Sequence, residues 1–174
     1  YIMSPPLRSS ENCEALWQGI SDGYIQTIAT DHCPFSFNKD KQLGKEDFTK
    51  CPNGAPGVEE RMALIFSEGV MKGRISINKF VEVCCTNPAK IFGLYPKKGT
   101  IAVGSDADIT IIDPNKDVTL TTDKLHSNVD YTAYDGFSLK GYPIFTILRG
   151  KIISKDGEFV GKKGYGRYLK RNRI

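Results

Sequence analysis

Only two strand–helix units can be read in this chain before its texture changes near Lys98. Two such units can neither close a barrel nor cover both faces of a sheet. An eight-fold barrel alone takes about 250 residues, whereas this chain has 174. The start Tyr1-Ile2-Met3-Ser4-Pro5-Pro6 also resembles the end of a strand already under way. The expectation is therefore the C-terminal piece of a larger protein, with a missing N-terminal portion as its first partner.

In the first unit Cys13, Leu16, Trp17 and Ile20 recur at i, i+3, i+4 and i+7, the apolar face of a short helix over 11–20 with Ser10 as its cap. Tyr24 to Thr30 is rich in β-branched and aromatic residues between Asp22-Gly23 and Asp31-His32-Cys33-Pro34, which predicts a strand with Asp31 at its C-terminal end. The 25 residues from Cys33 to Gly57 then show no sustained period. Connections commonly run about 4–6 residues, and loops beyond about 15 are functional or disordered. Pro34-Phe35, Phe37, Phe48 and the turn Pro52-Asn53-Gly54 supply anchors, which favours an ordered, functional loop.

A helical rhythm resumes at Met62, Ile65, Phe66 and Gly69. Ser76 reads as the cap of a helix with the face Ile77, Phe80, Val81 and Cys84, and Asn87-Pro88-Ala89 as a cap followed by proline at the first helical position, in a helix ending at Gly93. After Lys98 come short β-branched runs and turns: 107–112, 118–120, 143–148, and 151–153 hinged on Asp156-Gly157 to 158–160. The chain thus divides into strand–helix units over 1–97, a small β region over 98–160 and a tail over 161–174.

Composition narrows the function. The 24 Lys+Arg against 20 Asp+Glu give +4. Six of those cations lie in 162–174 without an acid, leaving −2 on the first 161 residues. A nucleic-acid face needs positive charge spread over a folded surface, so nucleic acid is not expected as a partner. No apolar run approaches the roughly 18 residues of a membrane span, and the start has no basic and apolar leader pattern. Five cysteines, an odd number without CxxC or Cys/His ligand spacing, fit free thiols in a reducing, cytoplasmic compartment.

Asp31 is the residue that points to chemistry. An acid at the C-terminal end of a strand, opening a long loop, stands where barrel enzymes place catalytic groups. The residue pattern alone leaves this open, since an Asp there also serves as a turn cap that bonds loop amides. By strand alternation His32 faces away from Asp31, as a hydrogen-bonded structural histidine. An Asn53-Gly54 pair by itself is a turn.

The wording around these positions is more specific. Thr30-Asp31-His32-Cys33-Pro34-Phe35, Leu43-Gly44-Lys45, Phe48-Thr49 and Pro52-Asn53-Gly54-Ala55-Pro56-Gly57-Val58-Glu59-Glu60-Arg61, with Ser4-Pro5-Pro6-Leu7-Arg8 before them, closely resemble the dihydropyrimidinase and D-hydantoinase branch of the cyclic amidohydrolases. The likeness continues through Asn87-Pro88-Ala89-Lys90, 98–108, His126-Ser127-Asn128-Val129-Asp130-Tyr131 and Gly164-Tyr165-Gly166-Arg167-Tyr168, and so covers essentially the whole chain.

The resemblance implies an α/β fold, the C-terminal part of a TIM-like (β/α)8 metal-dependent hydrolase barrel followed by part of a small β-sandwich. It implies hydrolytic opening of a dihydropyrimidine or 5-substituted hydantoin ring with two zinc ions, which activate water near neutral pH. Asp31 would be a zinc ligand and the catalytic proton shuttle, work that suits a short, hard, anionic side chain. Ser4 and Asn53 would bind the substrate's amide edge through main-chain groups. With two histidines and no His-x-His in the chain, the other ligands, including a carboxylated lysine, and the tyrosine at the oxyanion would lie outside it, so that alone it would be inactive. His126 receives no chemical role.

The family also implies a homotetramer in which the tail reaches a neighbouring subunit. The related collapsin-response-mediator proteins are non-enzymatic assembly proteins that lack the acid at the Asp31 position and differ at Asn53-Gly54; retention of both favours the enzyme. Allantoinase and dihydroorotase lack the Cys-Pro-Phe wording.

Overall fold

The computed structural model describes residues 1–172. Helix α1 spans Ser10–Ser21 and starts one residue earlier than the pattern suggests: Ser9, in extended conformation, holds the cap position, and Ser10 is already helical. Trp17 and Ile20 of its apolar face turn inward. They meet α2 (Arg61–Ile65), which widens into a π turn over Phe66–Met71, and α3 (Ile77–Val81), where Ser76 Oγ accepts from Lys79 N at 3.1 Å as expected of a cap.

From α3 the chain runs without a break through a π turn, Glu82–Thr86, into α4 (Asn87–Ile91). Asn87 is therefore no cap. Its backbone is helical, and its side chain donates instead to Gln26 O at 3.0 Å. Pro88 has no N–H to give the preceding turn, and a wider π turn there accommodates the missing bond. The helix ends at Gly93, whose φ of 67° is the left-handed stop that glycine supplies.

The segment from Tyr24 to Thr30 is extended but joins no ladder, which corrects the expected strand. A strand needs a hydrogen-bonded neighbour, and the described residues offer it none. Its backbone groups go elsewhere: Ile28 O accepts from Arg61 Nη1 at 2.7 Å, Gln26 O from Asn87, and Ile25 N donates to Gly19 O at 3.0 Å. Ile25 and Ile28 still pack on the core of Ile20, Phe66, Ile75, Phe80, Val83 and Cys84. Phe66 and Phe80 meet edge to face at 5.5 Å.

The β region is one antiparallel sheet in the order β1 (Ile109–Thr119), β2 (Ser138–Leu148), β3 (Lys151–Lys155), β4 (Glu158–Phe159). Arg149-Gly150 and Asp156-Gly157 turn the hairpins, all four residues with positive φ, as two-residue loops on twisted strands require. The sheet docks on the helices where the Phe66 ring crosses Gly141: a Cβ there would lie 2.4 Å from the ring. Beside it Lys140 N donates to the buried Ser67 Oγ at 3.0 Å.

A second core of Ala63, Leu64, Leu120 and Leu139 fills the same junction. Lys98 joins the end of the helical part to the sheet by bridging Asp106 and Asp108, the latter also accepting from Arg149 N. The tail lies back on its own chain: the Tyr165 ring stacks on Arg149 at 4.2 Å, and Asn172 N donates to Gly93 O at 2.9 Å, while Tyr168 stays exposed. The last two cations-and-apolar positions of the tail expectation, Arg173 and Ile174, lie outside the described residues.

Candidate active site

The long loop is ordered by its own polar side chains. Asp40 accepts from Ser36 N at 2.9 Å, and Asp47 from Thr49 N at 3.1 Å and Thr49 Oγ1 at 2.6 Å. Asp130 reaches across to accept from Phe37 N and Asn38 N at 2.6 and 2.9 Å. These amide bonds hold the Asp130 carboxyl below the usual carboxylate range, the Asn38 amide most strongly.

Asp31 stands where the extended segment turns into this loop. Its side chain is exposed and its φ is 46°, a left-handed backbone that Asp tolerates better than most residues. The next residue, His32, is turned away: its Nδ1 accepts from Gly57 N at 3.2 Å and Val58 N at 3.3 Å, fastening the far end of the loop to its beginning. This is the structural role expected of it. Cys33 N donates to Ala55 O at 3.1 Å, extending the same closure.

Ser4 and Asn53 come together. Asn53 Nδ2 donates to Ser4 Oγ at 2.6 Å, and one residue on, Gly54 N donates to Ile2 O at 3.1 Å. Gly54 has φ 144°, and a Cβ on it would sit 2.7 Å from Cys33 O, so the turn passes too close to the Asp31 segment for any side chain.

Three supporting residues were not singled out by the sequence pattern. Lys41, 9% exposed, sends its ammonium to the carbonyls of Ile2, Pro52 and Gly54. Glu60, 1% exposed, accepts from Thr132 Oγ1 at 2.6 Å. Glu59 accepts from His126 N at 2.7 Å and pairs with His126 Nδ1 at 2.8 Å. His126 thus has a structural role, and the Glu59 carboxylate raises its imidazole above the ordinary value. A lysine or glutamate in an aperiodic loop gives no pattern by which sequence could mark it as buried.

As a metal ligand Asp31 offers one hard, exposed carboxylate, which suits zinc. Among the described residues there is no group of three His, Cys, Asp or Glu able to hold a metal ion. The donor set present fits one ligand position and no more.

The acid at the head of the loop, the closed loop itself and the Ser4–Asn53 junction are set in the fold of a hydrolase family: the chain belongs to the amidohydrolase family, whose model matches residues 2–153. Within it the chain is 48% identical over 171 residues to the D-hydantoinase of Geobacillus stearothermophilus and 51% identical to a D-phenylhydantoinase of Escherichia coli. Those matches cover 98% of this chain but 36% and 37% of the relatives, so the chain spans little more than a third of their length. Its structure superimposes on a crystal structure of a D-hydantoinase with a TM-score of 0.96 at 49% identity, over 99% of this chain and 37% of that one. The dihydropyrimidinase of Brevibacillus agri gives 0.95 at 49% identity, over 98% and 37%.

Proposed function

We propose that this chain is the C-terminal part of an enzyme that opens a cyclic amide, a dihydropyrimidine or a 5-substituted hydantoin, by hydrolysis. The observation that carries this reading is the junction of Ser4 with Asn53 close to the segment that carries Asp31 at the head of the long loop. It occurs in a chain about half identical to hydantoinases. The architecture that goes with it is the end of a TIM-like barrel followed by part of a β-sandwich.

In this reading the main-chain groups at Ser4 and Asn53 hydrogen-bond the ring's amide edge and hold the scissile carbonyl in one place, which converts binding energy into orientation. Asp31 takes a proton from the attacking water and passes it to the leaving amide nitrogen as the C–N bond breaks. Asp31 would also hold one of a pair of zinc ions, which when bound would supply a water whose pKa lies at about 7. The remaining ligands, including a carboxylated lysine, come from the rest of the polypeptide, and the 174-residue chain alone has no activity.

The substrate is a small molecule rather than nucleic acid or a membrane. No helix among the described residues is long and apolar enough to cross a membrane. All five cysteines are free, which suits the cytoplasm. The enzyme assembles as a homotetramer, and Tyr168, an exposed aromatic of the tail, is available to a neighbouring subunit.

The test is ring opening by the full-length polypeptide, followed for dihydrouracil and for a 5-substituted hydantoin before and after chelation and with zinc restored. Zinc-restored hydrolysis of either ring is expected. A zinc-loaded protein that opens neither overturns the reading.

A further inference from the structure

Lys41 lies in a 3-10 turn, Lys41–Gly44, within the long loop, and is buried although it is a lysine. Its Nζ is 3.1 Å from Ile2 O, 2.5 Å from Pro52 O and 2.7 Å from Gly54 O. The Phe35 ring closes another side, 5.6 Å from the nitrogen. An ammonium has three protons and no acceptor, so every proton is used on main chain.

The identity of the three carbonyls gives the arrangement its meaning. Pro52 and Gly54 flank Asn53, and Ile2 lies two residues before Ser4. The Ile2 carbonyl also accepts from Gly54 N at 3.1 Å, so Lys41 caps a junction that the backbone has already begun. By contrast the side-chain bond between Asn53 and Ser4 is exposed, and water competes for it. The ammonium, on a residue only 9% exposed, is the part of the junction that water reaches least. A carboxylate partner would have drawn Lys41 to one side; three neutral carbonyls from two segments set the distance between those segments.

We propose that Lys41 is a positioning residue for the cyclic amide: its ammonium fixes the spacing of the Ser4 and Asn53 main chains that hold the ring edge. The inference rests on the reading of Ser4 and Asn53 as ring-binding residues. Removal of the ammonium takes the charged donor from the Pro52 and Gly54 carbonyls and leaves Ile2 O with Gly54 N alone, so a single backbone bond is left to set the distance between the two segments.

The test compares Lys41→Met and Lys41→Arg with the unsubstituted full-length polypeptide, zinc-loaded, in steady-state kinetics. A role in folding alone lowers the active fraction, which lowers kcat and leaves KM where it was. A positioning role moves KM. We expect KM to rise about tenfold or more in Lys41→Met, since small displacements of a bound substrate's anchors cost this much or more.

Lys41→Arg keeps the charge, but a planar guanidinium does not point three protons where an ammonium does, so its KM rises severalfold. An unchanged KM in soluble Lys41→Met overturns the inference whatever happens to kcat. If Lys41→Met does not accumulate, Lys41→Arg decides, and a KM equal to that of the unsubstituted polypeptide overturns it. An unsubstituted polypeptide that opens no ring overturns the functional reading instead, and the positioning role falls with it.

Discussion

The side-chain amide of Asn53 donates to Ser4 Oγ at 2.6 Å, joining two segments that stand 49 residues apart in the chain. The bond is exposed, so its loss returns both groups to water rather than stranding them. A neutral hydrogen bond of this kind contributes about 0.5–1.5 kcal/mol net. Ser4→Ala in the full-length polypeptide should therefore raise KM for the cyclic amide between about twofold and tenfold, with kcat nearly unchanged. A rise of several hundredfold in KM would assign the Ser4 hydroxyl a direct bond to the substrate.

Asp31 is best tested by asparagine, because its φ of 46° is a conformation that Asn shares with Asp and Ala adopts poorly. Asp31→Asn keeps the size and the backbone while removing the carboxylate proposed to carry the proton. The expected outcome is a fall in kcat of about 10²–10⁴-fold with the melting temperature unchanged. Turnover equal to that of the unsubstituted polypeptide would return Asp31 to the role of a turn residue.

What the sequence made legible follows from which interactions are local. Ser76 as a cap, Gly93 as a stop and Asp156-Gly157 as a hairpin turn are decided within a few residues, and the structure has all three. The segment from Tyr24 to Thr30 has strand composition, but pairing depends on neighbours that composition does not reveal, and Arg61 and Asn87 take its carbonyls instead. Asn87 looked like a cap because Asn-Pro begins many helices; the continuous turn through Glu82–Thr86 overrode that preference. Asp31, Ser4 and Asn53 stand out through the wording around them rather than through periodicity, and their proposed roles rest on that wording. Lys41 was not found, since its partners are carbonyls up to 39 residues away and carbonyls leave no mark on a sequence.

Gly54→Ala tests the close approach of the Asn53 turn to the Asp31 segment. The new Cβ would meet Cys33 O at 2.7 Å and Cys33 Cβ at 2.8 Å, at a φ of 144° that L-residues rarely adopt. Strain of this type costs about 1–3 kcal/mol. Urea unfolding of the full-length polypeptide should show a lower midpoint with the same slope, and KM should rise because the turn carries Asn53. A variant with an unchanged midpoint and KM would mean that the turn moves away from Cys33 freely.

The Glu59–His126 pair predicts a pH dependence with a definite sign. Glu59, by hydrogen bond and then by charge, lifts the imidazole above its ordinary 6.5, with a smaller contribution from Glu158. The folded state thus binds the proton more tightly than the unfolded chain. The resulting stabilisation is fully present below the unfolded value and is lost as pH rises through the raised folded value. His126→Gln should lower the melting temperature most at pH 5–6 and hardly at all near pH 9, and NMR titration should place the His126 midpoint above that of a model peptide. A midpoint at or below the model-peptide value would show that the pair is too well solvated to matter.

The described surface leaves large apolar side chains in water on both parts of the chain: Ile101 is 81% exposed, and Ile77, Val81, Phe92 and Ile111 are also exposed. Most of these lie along the α3–α4 helix and on or near the edge strand β1. β1 is an 11-residue edge with pairing on one side only, within the described residues. Long unpaired edges and contiguous apolar surface are the two features that natural proteins cover or blunt. Expressed by itself, the 174-residue chain should therefore aggregate, sediment as a broad distribution and bind a hydrophobic dye, while the full-length polypeptide should sediment as one discrete species and bind little dye. Sedimentation velocity and a thermal melt decide the matter. A monodisperse monomer with a cooperative transition would show that the exposed residues are tolerated as ordinary surface and that the chain needs no further covering to fold.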